Sequence, residues 1–212
     1  MELQSIPCVI IHRKQDTSRY PNIVEFERKL GRTLQHFEGL SGHFLIKGGF
    51  PRKHPRDGES SPGNIGCTAS HVEILEAFIK SKHSHCAIFE DDAELVGDLQ
   101  GYFNLINKLS EYDLIFFGVN EIVEGSSSEI PTIYRITRFW GTHAVLVGRK
   151  AAVAILNTYK KYVDQGYALP ADWLYSYAIK EEDLLAYAPI KPIIRQRPGL
   201  VSLISGQIRR YD

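Results

Sequence analysis

The apolar run Cys86-Ala87-Ile88-Phe89 passes directly into Glu90-Asp91-Asp92, and this junction constrains the fold more than any other stretch of the chain. So short an apolar run, bounded by polar residues, suits a buried strand rather than a helix. Adjacent carboxylates cannot follow it into a core, because they repel one another and lose hydration. The strand must therefore end where the core ends, with the acids at its carboxyl end, where open α/β sheets gather their ligands. Strand side chains alternate, so Glu90 and Asp92 are expected on one side and Asp91 on the other. Two hard oxygens on one side suit Mn²⁺ or Mg²⁺. The triplet equally reads as a helix cap by Asp91 or Asp92 beside a solvated Glu90.

The rest of the chain repeats the pattern of short apolar runs and amphipathic stretches. Strands are expected at 7–11, 43–46, 86–89, 114–117 and 144–147. A helix is expected from Pro21, with Ile23, Phe26, Leu30, Leu34 and Phe37 on one face, and others at 68–80, 99–109 and 150–162. Glycines and prolines make 47–64 a long mobile loop, and the Gly/Ser cluster at 125–128 reads as a second loop. This alternation predicts an α/β protein with a largely parallel central sheet flanked by helices. It predicts a single domain over residues 1–212, with an irregular tail at 196–212.

Composition excludes several classes. Lys+Arg and Asp+Glu both number 25, so no net field draws in a nucleic acid. The three cysteines lack metal-ligand spacing, and His83, His85 and Cys86 read as a loop entering a strand, which points to a reducing cytoplasm. The apolar run before His12 is far shorter than the roughly 20 residues that span a bilayer. The chain is expected to be soluble, or peripheral to the inner face of a membrane. Arg195, Arg197, Arg209 and Arg210 make the far end basic, as a solvated face or as an attraction for a diphosphate or an anionic membrane. No Gly-rich phosphate loop lies between Ile11 and Pro21, which argues against a sugar-1-phosphate nucleotidyltransferase.

Around the acids stand ordered blocks: Gly66-Cys67-Thr68-Ala69-Ser70-His71, then a helix, then Ile88-Phe89-Glu90-Asp91-Asp92. Tyr112-Asp113-Leu114-Ile115-Phe116-Phe117-Gly118, Gly141-Thr142-His143-Ala144-Val145-Leu146-Val147 and Pro170-Ala171-Asp172-Trp173 follow. Together, over residues 62–190, these resemble glycosyltransferase family 25. The resemblance implies a GT-A-type fold, a UDP-sugar donor (often UDP-galactose), inversion at the anomeric carbon, and a glycan or glycolipid acceptor in lipopolysaccharide or related glycans. His12 and Arg13 then fall among the nucleotide contacts, although Ile11-His12-Arg13-Lys14-Gln15-Asp16 replaces the Asn-Leu-Asp-like stretch usual in the family.

Glycosyl transfer needs a neutralised leaving diphosphate and a base for the acceptor hydroxyl. The metal at Glu90, Asp91 and Asp92 is assigned the first task and Asp172 the second, with Trp173 as a sugar-stacking surface. Asp172 equally reads as a helix N-cap. Ser70 and His71, near a helix start, would favour a phosphate, or else serve as a turn residue and a core hydrogen-bonder. Thr142 and His143 are assigned to the acceptor, with a buried histidine as the other reading. An inactive carbohydrate-binding protein on the same fold is the alternative class.

Overall fold

The computed structural model describes residues 3–200. In chain order it contains β1 (Cys8–His12), α1 (Tyr20–Leu30), β2 (Gln35–Glu38), α2 (Gly42–Lys47), α3 (Pro62–Lys80), β3 (His85–Glu90), β4 (Ala93–Leu95) and α4 (Leu99–Ile106). There follow β5 (Leu114–Phe116), β6 (Glu121–Ser127), β7 (Ile133–Trp140), β8 (Ala144–Gly148), α5 (Arg149–Asp164), α6 (Ala171–Glu181), β9 (Ala186–Pro189) and β10 (Ile194–Gln196).

An 8-stranded sheet has the order β2-β1-β3-β8-β5-β9-β7-β6. Strands β2, β1, β3, β5, β9 and β6 run one way, and only β8 and β7 run against them. Sheet side chains alternate between faces, and the core sorts accordingly. Val9, Ile88, Leu114, Phe116, Val145 and Val147 pack with α3, α5 and α6. Cys8, Ile10, Ala87, Phe89, Ile115, Phe117, Ala144 and Leu146 pack with α1 and α4. Helices thus cover both faces, so the central strands read as continuous apolar runs.

Register places the site. Parallel pairing of β1 with β3 sets Ile11 opposite Glu90, which brings His12 alongside the acidic turn. A small antiparallel pair sets Gln196 of β10 opposite Ala93 of β4, and so lays a strap beside Asp92. The 201–212 part of the expected irregular tail, with Arg209 and Arg210, lies outside the described residues.

Three segments differ from their sequence expectation. The run 43–46 is not a strand but lies in α2, started by Ser41, whose hydroxyl accepts from the Phe44 N–H at 3.4 Å. Residues 125–127 belong to β6, because pairing with β7 overrides their loop-like composition. Helix α1 stops at Leu30, where Gly31 takes φ 68° as its left-handed cap, so Leu34 lies beyond it and Phe37 is in β2.

Candidate active site

The acids leave β3 into a tight turn and divide between two directions. Asp91 turns toward β1 and α1: Arg19 Nη1 donates to its Oδ1 at 3.0 Å, and His12 Nδ1 lies 3.2 Å from its Oδ2. The same guanidinium reaches Asp92 Oδ2 at 3.4 Å, also an acceptor from Gln196 Nε2 at 3.4 Å. Glu90 turns the other way, where Thr142 Oγ1 donates to its Oε1 at 3.0 Å and the Cys67 thiol at 3.7 Å. His71 Nε2 stands 3.5 Å from the same oxygen. Burial by itself would raise the Glu90 carboxyl, but His71, His143 and the Thr142 hydroxyl hold it down at about 2. Burial pushes Asp91 up to about 6 against the pull of Arg19. Arg19 is 3% exposed and neutralises the acidic pair, a role that sequence reasoning missed because nothing distinguishes it from a surface arginine.

Two cavities meet at these residues. One is lined by His12, Arg13, Arg19, His43, the first turn of α3 and all of Glu90, Asp91 and Asp92. The other is lined by Asn120, Trp140, Thr142 and Asp172, and both include Cys67 and Glu90. The wall between α2 and α3 is close-packed backbone: a Cβ on Gly66 would stand 2.4 Å from the Leu40 carbonyl. Helix α3 begins at Pro62, capped by Ser61, so Ser70 and His71 lie in its middle and the helix-end argument does not apply to them. Pro62 and Gly63 occupy the N-terminal turn instead and face the first cavity. Ser70 Oγ donates to the Gly66 carbonyl at 2.7 Å and accepts from the Leu40 N–H at 2.9 Å, which fastens the wall.

On the other side, Asp172 is not the cap of α6, since Pro170 holds that position. Its Oδ2 accepts from the Gly141 N–H at 3.3 Å and its Oδ1 from the Trp173 N–H at 2.9 Å. Burial raises its pKa, opposed by those two amides, and the Glu90 charge adds to the rise. Gly141 has φ 90°, and a Cβ there would meet the Asn120 amide at 2.7 Å. Only glycine fits this corner. Of the two readings of His143, its surroundings suit the buried one: it is 0% exposed and its Nε2 lies 3.0 Å from the Ile194 carbonyl. Thr142 lines the second cavity, whereas Trp173 lines a separate one that shares Trp140 with it.

The donors fit a divalent ion at Glu90 but not at Asp91, whose oxygens are taken by Arg19 and His12. Cys67, His71 and Glu90 offer ligand atoms within 4.8 Å of one another, and the buried His71 Nε2 makes no hydrogen bond. Imidazole and thiol beside a carboxylate favour a softer ion such as Zn²⁺ over Mg²⁺, with Mn²⁺ between the two. Burial, with the charges of Glu90, Asp172 and Asp92, holds the Cys67 thiol well above its usual pKa, which makes it no nucleophile.

Residues 50–175, more than half of the 212, match the sequence profile of Glycosyltransferase family 25 (LPS biosynthesis protein). With the α/β sheet and its cleft, that match defines a glycosyltransferase. The chain belongs to glycosyltransferase family 25. No curated protein matches it in sequence. Similar solved structures include A197 from STIV, at 11% identity over 90% of this chain and 84% of that one, with a TM-score of 0.43. Mouse xyloside xylosyltransferase 1 in its apo form shares 9% identity over 85% and 83%, with a TM-score of 0.45. The galactosyltransferase LgtC in complex with donor and acceptor sugar analogs shares 8% over 81% and 69%, with a TM-score of 0.46. Function is therefore read from the family match and from the cleft itself.

Proposed function

We propose that this chain transfers a sugar, galactose by family resemblance, from a UDP-sugar to a lipopolysaccharide-type glycan acceptor, with inversion and with help from a divalent ion. The observation that carries this reading is the pair of cavities joined at Glu90 and Cys67. One sets Arg13 and Arg19 among the three acids and ends on a helix N-terminus, which suits a diphosphate bound together with a cation. His12, Arg13 and Arg19 there would hold the donor, whereas Ser70 would act only by fixing the wall. The other cavity holds a desolvated carboxylate, Asp172, beside the indole of Trp140.

In that arrangement Asp172 takes the proton from the acceptor hydroxyl, whose oxygen attacks the anomeric carbon opposite the departing UDP. Gly141 and Trp173 amides aim the carboxylate, and Thr142 keeps Glu90 turned to the junction. A bound ion, held by Glu90 with His71 and Cys67, supplies charge neutralisation for the leaving diphosphate.

A binding protein on the same fold is the second reading, favoured by the closing of Asp91 and Asp92 onto Arg19. Mass spectrometry of UDP-sugars incubated with the chain, Mn²⁺ and a lipooligosaccharide panel decides between them. Release of UDP with a mass increase of one hexose on an acceptor is expected. Donor that binds but is never consumed would overturn transfer and leave the binding protein.

Three free thiols fit a reducing compartment. Among the described residues no helix is long and apolar enough to cross a membrane.

A further inference from the structure

Trp140 lines the cleft beside Asp172 and also a third cavity farther out, with Arg56, Arg138, Trp173, Tyr177 and Lys180. The chain has two tryptophans, and both are there. The rings adjoin as an aromatic cluster, here called the platform: Trp173 lies 5.8 Å from Trp140 at 43° and 5.6 Å from Tyr177 at 74°. Cations cover it, with Arg56 at 4.5 Å and Arg138 at 5.6 Å from the Trp173 ring. Glu124 is shared by Arg138 at 3.3 Å and Lys180 at 2.5 Å, and among the described residues no carboxylate pairs with Arg56. Positive charge therefore exceeds negative around the rings. Below them Ser176 is 6% exposed and its Oγ has no hydrogen-bond partner, although it lines this cavity. A buried hydroxyl without a partner costs free energy that a ligand oxygen would recover.

We propose that this platform is an acceptor subsite for an anionic sugar, one bearing a carboxylate or a phosphate. The proposal rests on the transferase reading, because it places this sugar next to the one whose hydroxyl faces Asp172. The rings take the apolar face of the pyranose and Arg56 takes the anion, with Arg138 and Lys180 beside it. A neutral sugar would leave Arg56 without a counterion and gain only the stacking. The donor's uracil is the competing occupant, but the second cavity, with Asp172, lies between the platform and the first one.

Both tryptophans lie on the platform, so intrinsic fluorescence reads it directly. The full chain is titrated with methyl glucuronide, a glucose monophosphate and methyl glucoside. A saturable change is expected with one or both anionic probes and not with the neutral one, and the stronger anion identifies the source of the charge. Affinity for that probe should fall at least about tenfold in Lys180→Gln and Arg56→Gln, both exposed positions, and should weaken with added salt. Equal binding of the glucoside, no response to any probe, or displacement of a bound probe by UDP would each overturn the subsite. Calorimetry with UDP on the same protein tests the donor reading separately. UDP binding without sugar-acid binding removes only the subsite, whereas loss of UDP binding counts against the transferase.

Discussion

Asp172 and Arg19 carry the sharpest consequences at the scale of single residues. Replacing Asp172 by asparagine removes the base but keeps the shape, so turnover should fall about 10²- to 10⁴-fold with UDP affinity little changed. Because burial raises the folded pKa of Asp172, its proton stabilises the fold. Wild-type stability is lost as pH rises from the unfolded value through the raised one, and the asparagine variant lacks that loss. The melting temperature of Asp172→Asn relative to wild type should therefore improve with rising pH. Near-wild-type turnover would exclude Asp172 as the base. Arg19→Met leaves two buried carboxylates without their cation and should cost about 3–5 kcal/mol near neutral pH. With Asp91 titrating at about 6, the cost should shrink in acid, where the carboxyl is neutral. Urea unfolding at about pH 5 and about pH 8 checks this, and equal losses at both would refute it. The acids, Thr142, Asp172 and Trp173 were legible in the sequence because motif order marks them. Arg19 and Ser176 were not, since their importance comes from what surrounds them in space. Strand alternation also misled: Glu90 does turn away from Asp91, but Asp92 leaves the strand at the turn and joins Asp91 on Arg19.

Elements were legible where a pattern was long and ambiguous where it was short. The β3 and β8 runs and α5 follow directly from apolar content and period. The short run at 43–46, three apolar residues after His43, suits a strand or a helix equally, and Ser41 settles the matter by capping α2. The start of α3 was carried in plain view by Ser61-Pro62, an N-cap followed by a proline at N1. Residues 47–64 were expected as one mobile loop, but Lys47 ends α2 and 62–64 open α3, which leaves segment 48–61. It is fastened to the stretch before α6, with Ser60 Oγ donating to the Ala168 carbonyl at 2.6 Å and Ala168 N–H donating to the Lys53 carbonyl at 2.8 Å. Its tip lies over Trp173, where His54 meets the ring at 5.0 Å. Amide exchange at 54–58 should therefore slow with an acceptor analogue and change little with UDP alone. Slowing by UDP to the same degree would show that the loop answers to the donor.

At the scale of the whole molecule, β1 to β9 are tied into one sheet and helices on both faces complete its two apolar clusters, except for β4 in its small pair. Strand β8 illustrates the dependence, since it lies between β3 and β5 and is hydrogen-bonded to both. Neither half of the sheet can open without exposing the other, so heat should produce one cooperative transition, the behaviour of a single domain. The overall class was legible because strand and helix patterns alternate; the antiparallel insertion of β8 was not, because pairing partners are set by packing across the sheet. Zero formal net charge leaves donor binding to the local groups of the first cavity. The same melt therefore reads the site. UDP at about a hundred times its dissociation constant adds about 2.7 kcal/mol to stability. For a chain of this size that raises the midpoint by about 5–10 °C. The acids at the junction repel an anion approaching alone, so the rise should appear with UDP and Mn²⁺ together and vanish with chelator. Mg²⁺ should support less of it, because His71 and Cys67 beside Glu90 suit the softer ion. An equal rise with UDP in chelator would mean that Arg13 and Arg19 alone neutralise the diphosphate, and the ion would then have no part in holding the donor.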